Sequence, residues 1–197
     1  MAVDLAVFGL DGGALRVLLV RRKHDPFAGR WALPGGFLDI DEPIEAAARR
    51  ELREETGLDE TGAVELIGVY GDPGRDPRGR VISLAHAAAI RSPLPDVAGA
   101  DDAAEASWLD PRAEHPLAFD HRTILARALD WLAAGVAAGP LGLALLPREF
   151  RLDDVAALHR AVLGPAAAGS PTDWCRRLVE AGKIVAAGGD GTRFTTA

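Results

Sequence analysis

Apolar residues run through this chain with two different periods, which separate its strands from its helices. Residues 3–10 (VDLAVFGL) and 15–22 (LRVLLVRR) are β-rich runs split by Asp11-Gly12-Gly13, a hairpin signature. Residues 63–71 (AVELIGVYG) and 79–90 (GRVISLAHAAAI) read as further strands joined by the turn DPGRDPR, and residues 105–110 (EASWLD) as another. Gly35-Gly36, after Trp31-Ala32-Leu33-Pro34, punctuates the entry to a helix over 43–56; Pro43 suits its first turn and Gly57 its end. A long amphipathic helix is predicted over 119–136, with Leu125, Ala128, Leu129 and Leu132 on one face. The pattern breaks over 137–147 (AAGPLGLALLP), which reads as a linker with an apolar anchor. Two more helices are predicted at 152–163 and 171–182, the second opened by Ser170-Pro171-Thr172-Asp173. Short β pieces follow around Gly188-Gly189-Asp190-Gly191. The expected organisation is an α/β domain over residues 1–138 and a linker plus small helical module over 139–197.

Composition adds limits to this picture. The 197 residues are 48% hydrophobic and 26% charged, globular values that allow a buried core in one or two domains. Net charge is −7 and unevenly placed: residues 1–138 carry 15 basic against 23 acidic side chains, residues 139–197 carry 7 against 6. The acidic body argues against a general nucleic-acid binder, while the tail is permissive. Cys175 is the single cysteine, so an intrachain disulfide and a cysteine zinc site are both excluded. The N-terminal segment has no basic stretch, and its apolar run is too short for a signal peptide or a membrane span. A soluble cytoplasmic setting without a membrane partner is expected.

The helix over 43–56 raises a chemical question. Glu51, Glu54 and Glu55 stand at i, i+3 and i+4, where helical geometry makes them neighbours and each like-charged pair costs a few tenths of a kcal/mol. One reading is a hard-oxygen site for Mg²⁺, with Mn²⁺ as the alternative ion, to which a main-chain carbonyl at Gly35 or Gly36 adds a further ligand. The other is a solvated face laced with arginine pairs.

A longer register decides between them. Gly36, Glu42, Arg50, Glu51, Leu52, Glu54, Glu55, Gly57 and Leu58 match every specified position of the Nudix box, G-x5-E-x7-R-E-U-x-E-E-x-G-U. The chain therefore resembles a Nudix hydrolase. The resemblance implies an α/β/α sandwich and cleavage of a nucleoside diphosphate linked to another moiety. It assigns Glu51, Glu54 and Glu55 as metal ligands, Glu51 also to the attacking water, Arg50 to orienting the carboxylates and Glu42 to bracing the loop.

Residues outside the box bear on the substrate. Pro73 follows Leu58 by 15 positions, a spacing associated in this superfamily with ADP-ribose pyrophosphatases. The segments 72–79 (DPGRDPRG) and 117–121 (LAFDH) are similar to loops of that branch, which adds Arg75, Arg78 and His121 to Pro73 as expected substrate-binding residues. Arg75 and Arg78 on a stiff turn suit phosphate or adenine, against the plainer reading of a solvated hairpin. The resemblance makes Glu105 the expected further catalytic carboxylate, with Asp101 and Asp102 as competitors and a merely solvated acidic loop as the plainer reading. The five histidines form no ligand-spaced pair.

The tail (145–164 and 173–185) resembles the winged-helix module of Nudix-related regulators of NAD metabolism, in which the Nudix domain senses ADP-ribose and the winged helix binds operator DNA. Its second helix is poorer in Arg and Lys than such helices usually are, and Asp190 sits in the expected wing. A homodimeric enzyme with a small winged-helix-like domain is thus ranked ahead of an ADP-ribose-responsive repressor that binds DNA.

Overall fold

The computed structural model describes residues 1–59, 61–165, 169–187 and 191–197. The predicted β pieces at Gly188, Gly189 and Asp190 lie outside the described residues. The fold is mixed α/β and divides into two compact units, one of Met1–Phe8, Arg16–Ala88 and Pro95–Ala128, the other of Gly9–Leu15, Ala89–Leu94 and Leu129–Ala197.

The sheet that positions the site lies in the first unit apart from Gly9–Leu15 and Ala89. β1 (Ala2–Asp11) and β2 (Ala14–Arg22) meet at Gly12 and Gly13, whose φ values of 54° and 79° a tight hairpin requires. The remaining strands are β3 (Trp31–Ala32), β4 (Gly35–Phe37), β5 (Val64–Tyr70), β6 (Ser83–Ala89) and β7 (Ala103–Leu109). Among the described residues these seven strands form one sheet of order β3-β2-β1-β6-β5, with β4 paired to β1 and β7 to β2. β1 is the middle strand and is buried from Ala2 to Leu10, which is why its sequence is nearly unbroken apolar. Asp4 is the exception.

Helix α1 (Ile44–Thr56) turns Ala47, Ala48, Leu52 and Thr56 inward and ends at Gly57, whose φ of 73° suits a left-handed cap. Helix α2 (His121–Ala138) starts two residues later than its periodicity predicts, because Phe119 takes a φ of 49° that no helical residue adopts. Its buried stripe is Ile124, Leu125, Ala128, Leu132 and Val136; the expected Leu129 is only half-buried. Strand β6 begins at Ser83 and not at 79; in the loop before it, Asp76 accepts hydrogen bonds from the Arg78 main chain and guanidinium.

In the second unit the expected linker is ordered. Pro140 opens the short helix α3 (Pro140–Leu143), and Leu145 and Leu146 are fully buried. β8 (Glu149–Arg151), α4 (Leu152–Leu163), α5 (Pro171–Glu180), β9 (Ile184–Ala186) and β10 (Arg193–Thr196) follow. β10 pairs antiparallel with both β8 and β9 in a three-stranded sheet. Phe150 and Phe194 stack at 5.9 Å, and Trp174 is buried with its indole N–H donating to Val136 O at 3.0 Å. Among the described residues no helix is long and apolar enough to cross a membrane.

Candidate active site

Two glycines let the main chain approach the acidic helix. β4 pairs with β1 in the register Asp4↔Gly35 and Val3↔Gly36. A Cβ at Gly35 would run into the Val3 carbonyl, and one at Gly36 would stand 2.5 Å from the carboxyl carbon of Glu51. The Gly35 N–H donates to Glu55 Oε2 at 3.0 Å. Gly36→Ala is therefore expected to leave stability nearly unchanged, because the obstructing atoms are the end of a flexible side chain. It should still lower kcat about 10²-fold by displacing the Glu51 carboxylate. Melting curves and steady-state kinetics on the same preparation check both halves of that expectation.

Arg50 organises the loop and helix together. Its Nε and Nη2 donate to the two oxygens of Glu42 at 3.0 and 2.7 Å, and its Nη2 donates to Phe37 O at 3.1 Å. Its Nη1 donates to both Glu51 Oε1 and Glu54 Oε2 at 2.9 Å. Hydrogen bonds from Arg50 and from the Asp39 N–H hold the Glu42 carboxyl down at about 2. The other arginines of the helix face away from this cluster: Arg49 pairs with Glu45, and Arg53 lies 3.9 Å from Asp59.

Glu51 and Glu55 are held under opposite conditions to Glu42. Burial, together with the neighbouring Glu51 charge, pushes Glu55 up to about 8, although the Gly35 N–H works against it. Burial also raises Glu51, against the pull of Arg50. Among the described residues no three acidic, histidine or cysteine side chains are gathered around one point. The cationic guanidinium spans Glu51 and Glu54 instead. The donor chemistry nonetheless fits a hard divalent ion: neighbouring carboxylates, two of them with pKa raised by burial, face a main chain without side chains.

These groups line a cavity of about 340 Å³, all of whose walls belong to the first unit. Arg78 lies on it with its guanidinium over Phe37 at 5.2 Å and Phe119 at 5.7 Å, held in place by Asp76. Phe37 is half exposed. The other expected substrate-binding residues are placed differently. Arg75 lines the cavity, but Asp120 grips its fork at 2.9 and 2.6 Å, with Asp4 at 3.4 Å. Its side chain is only 5% exposed. His121 has both ring nitrogens engaged within the protein: Leu33 N–H donates to Nδ1 at 2.9 Å, and Nε2 faces Asp4 Oδ1 at 3.2 Å. It lines the cavity, with neither ring nitrogen left without a protein partner. Pro73 is exposed and outside the cavity lining.

Glu105 is also absent from that lining. It lies on β7 opposite Arg21, with which it pairs at 3.7 Å, and it accepts from Ser107. Asp101 and Asp102 do line the cavity, because their loop is tied to the end of α1 through Ala98 N–H to Thr56 O and Ala100 N–H to Glu55 O. The sequence reading gave no role of their own to Asp4, Arg22, Phe119 and Asp120, although Phe119 and Asp120 lie in the segment 117–121 it singled out. Asp4 left a signal too, as a carboxylate inside an apolar strand.

Comparison with known proteins bears on the family and the fold. A family model described as NUDIX domain matches residues 1–132. An ADP-ribose pyrophosphatase of Methanocaldococcus jannaschii is 42% identical over 132 residues, 64% of this chain and 73% of the relative. The ADPR responsive transcriptional repressor NtrR of Acinetobacter baylyi is 32% identical over 187 residues, 93% of this chain and 74% of the relative. Shewanella oneidensis NrtR, in a crystal structure with a 27mer DNA, superposes with a TM-score of 0.78 at 25% identity, covering 100% of this chain and 93% of that one. The NUDIX domain of the same protein, crystallised with ADP ribose, matches at TM-score 0.61 and 31% identity over 66% of this chain and 86% of that one.

Proposed function

The chain belongs to the NUDIX-domain family and is a Nudix hydrolase, and on that premise we propose that it hydrolyses ADP-ribose to AMP and ribose 5-phosphate with Mg²⁺. The observation that carries the chemistry is the carboxylate face of α1, Glu51, Glu54 and Glu55, set against the side-chain-free main chain of Gly35-Gly36 at the wall of one cavity. Those three carboxylates, with a Gly35 carbonyl, would hold the ion. A bound divalent ion supplies positive charge to diphosphate oxygens and acidifies water. Arg50 keeps Glu51 and Glu54 aimed at a common place, and Glu42 keeps Arg50 there. Glu51 is the group to take the proton of the attacking water. Asp101 and Asp102, which line the same cavity, are the candidate further carboxylates. Arg78, backed by two phenyl rings, offers a planar cation to a phosphate or a base.

The choice of ADP-ribose is supported by the activity named for the archaeal relative and the ligand named for the Shewanella domain. A substrate panel with Mg²⁺ tests it. ADP-ribose is expected to show the highest kcat/KM, ahead of NADH, diadenosine polyphosphates and deoxynucleoside triphosphates; a triphosphate in first place would remove the substrate while leaving the reaction class.

A second reading has its own support. The similarity to the Acinetobacter repressor extends over 93% of this chain, well past the NUDIX domain. On this reading residues 139–197 would form a winged-helix-like DNA-binding domain of a cytoplasmic homodimer. Against it stand the balanced charge of that segment and the outward face of α5, where Arg176 is already paired with Asp173 at 2.7 Å. Weak, sequence-independent binding is the expected outcome of selection from a random duplex pool. A palindromic consensus whose affinity falls steeply with salt and with Arg176→Ala/Arg177→Ala would reverse the ranking.

A further inference from the structure

Asp4 is a costly residue for its place. It is 6% exposed in the middle strand of the sheet, where its neighbours Val3 and Leu5 are fully buried. Apolar replacements of buried ionic groups are often neutral or stabilising, so stability alone does not account for a carboxylate there. What it provides is direction. One oxygen accepts from the Ser83 hydroxyl and lies 3.4 Å from Arg75 Nη2; the other faces His121 Nε2 at 3.2 Å. Because the Leu33 N–H donates to His121 Nδ1, that nitrogen carries no proton, and the Asp4 contact is an Nε2–H donating to a carboxylate. The line continues along the chain. Two residues after Leu33, the Gly35 N–H donates to Glu55 Oε2, while Leu5 N–H fixes the intervening Pro34 carbonyl at 2.9 Å.

We propose that Asp4 and His121 are positioning residues for the hydrolase site: the carboxylate fixes the imidazole as its Nε2–H tautomer, Nδ1 captures Leu33 N–H, and the 33–35 main chain is thereby held against Glu55. The proposal rests on the reading of Glu51, Glu54 and Glu55 as the metal-holding carboxylates. Neither Asp4 nor His121 touches the reacting atoms in this scheme. Both act through the main chain, as the groups behind metal ligands commonly do.

Two half-replacements of His121 separate positioning from general packing. Asparagine puts an oxygen where Nδ1 stands and keeps the acceptor for Leu33 N–H. Glutamine reaches the Nε2 position and keeps only the contact with Asp4. Binding of Mn²⁺ alone, followed by the EPR signal of the free ion, is expected to weaken about 10- to 100-fold in His121→Gln. It should stay near the wild-type value in His121→Asn, with kcat following the same order and KM for ADP-ribose unchanged. Equal losses in both variants, or none in His121→Gln, would overturn the proposal. If the glutamine variant does not fold, the ¹⁵N spectrum of wild-type His121 decides: an unprotonated Nδ1 with a protonated Nε2 is expected, and an Nδ1–H or imidazolium signal overturns it. A wild type that turns over no ADP-ribose, yet shows the Mn²⁺ difference between the variants, sinks the substrate assignment and leaves the positioning line standing.

Discussion

Glu51→Gln is expected to lower kcat/KM on the order of 10³-fold while leaving the fold intact. The substitution preserves shape, and its amide oxygen still accepts from Arg50 Nη1, so the loop stays closed through the Glu42–Arg50 fork. It removes one negative charge from a carboxylate whose pKa burial has already raised. Melting in EDTA should therefore stay level or rise by roughly 0.2–0.5 kcal/mol for each relieved like-charge pair. The stabilisation conferred by Mg²⁺ should shrink, since a ligand stabilises only as far as it binds the folded state. Glu54→Gln is expected to shift activity in the same direction. If these side chains were a solvated face paired with arginines, the pattern would invert: retained turnover, slightly lower metal-free stability and an unchanged Mg²⁺ response. Turnover and two melts separate the cases.

The sequence revealed most where the chemistry is local. The helix at 44–56 and its cap were legible because proline, glycine and the spaced glutamates all act within one element. The ends of elements were less so: the start of α2 is set by the φ of Phe119, and nothing in the pattern of apolar residues marks it. Partnerships across the chain were invisible. Arg75 looks like a free cation on a turn until a strand 71 residues away delivers Asp4 beside it and α2 delivers Asp120. His121 looks available until the main chain of Leu33 occupies one nitrogen. Glu105 was preferred to Asp101 and Asp102 on sequence context. The register of β7 against β2 sets it opposite Arg21, while main-chain bonds to α1 draw the aspartate loop to the cavity. Each of these placements depends on contacts between segments far apart in the chain, strand register among them, which periodicity within a segment does not contain.

The burial of Glu55 leads to a second large effect, a stability of the metal-free protein that falls as pH rises. In the folded chain this carboxyl is pushed from 4.5 up to about 8 by burial. A group whose folded pKa is raised binds its proton more tightly in the native state, so its contribution to stability is fully present below the unfolded value. Between pH 4.5 and about 8 that contribution is lost at up to about 1.4 kcal/mol per pH unit, and above about 8 the loss is complete. Gln at this position keeps an oxygen for the Gly35 N–H and has no proton to lose. Urea unfolding in EDTA, run from pH 5 to pH 9 on wild type and Glu55→Gln, should show the variant gaining on wild type across this window, by roughly 3 to 5 kcal/mol in total. Below the window the two should converge. Adding Mg²⁺ at pH 7 should release about one proton per protein from wild type and none from Glu55→Gln, because a carboxyl must ionise before it can ligate. Parallel curves for the two proteins across the whole range would mean that Glu55 is solvated and ionised in the native state, and the buried end of the carboxylate cluster would have to be abandoned.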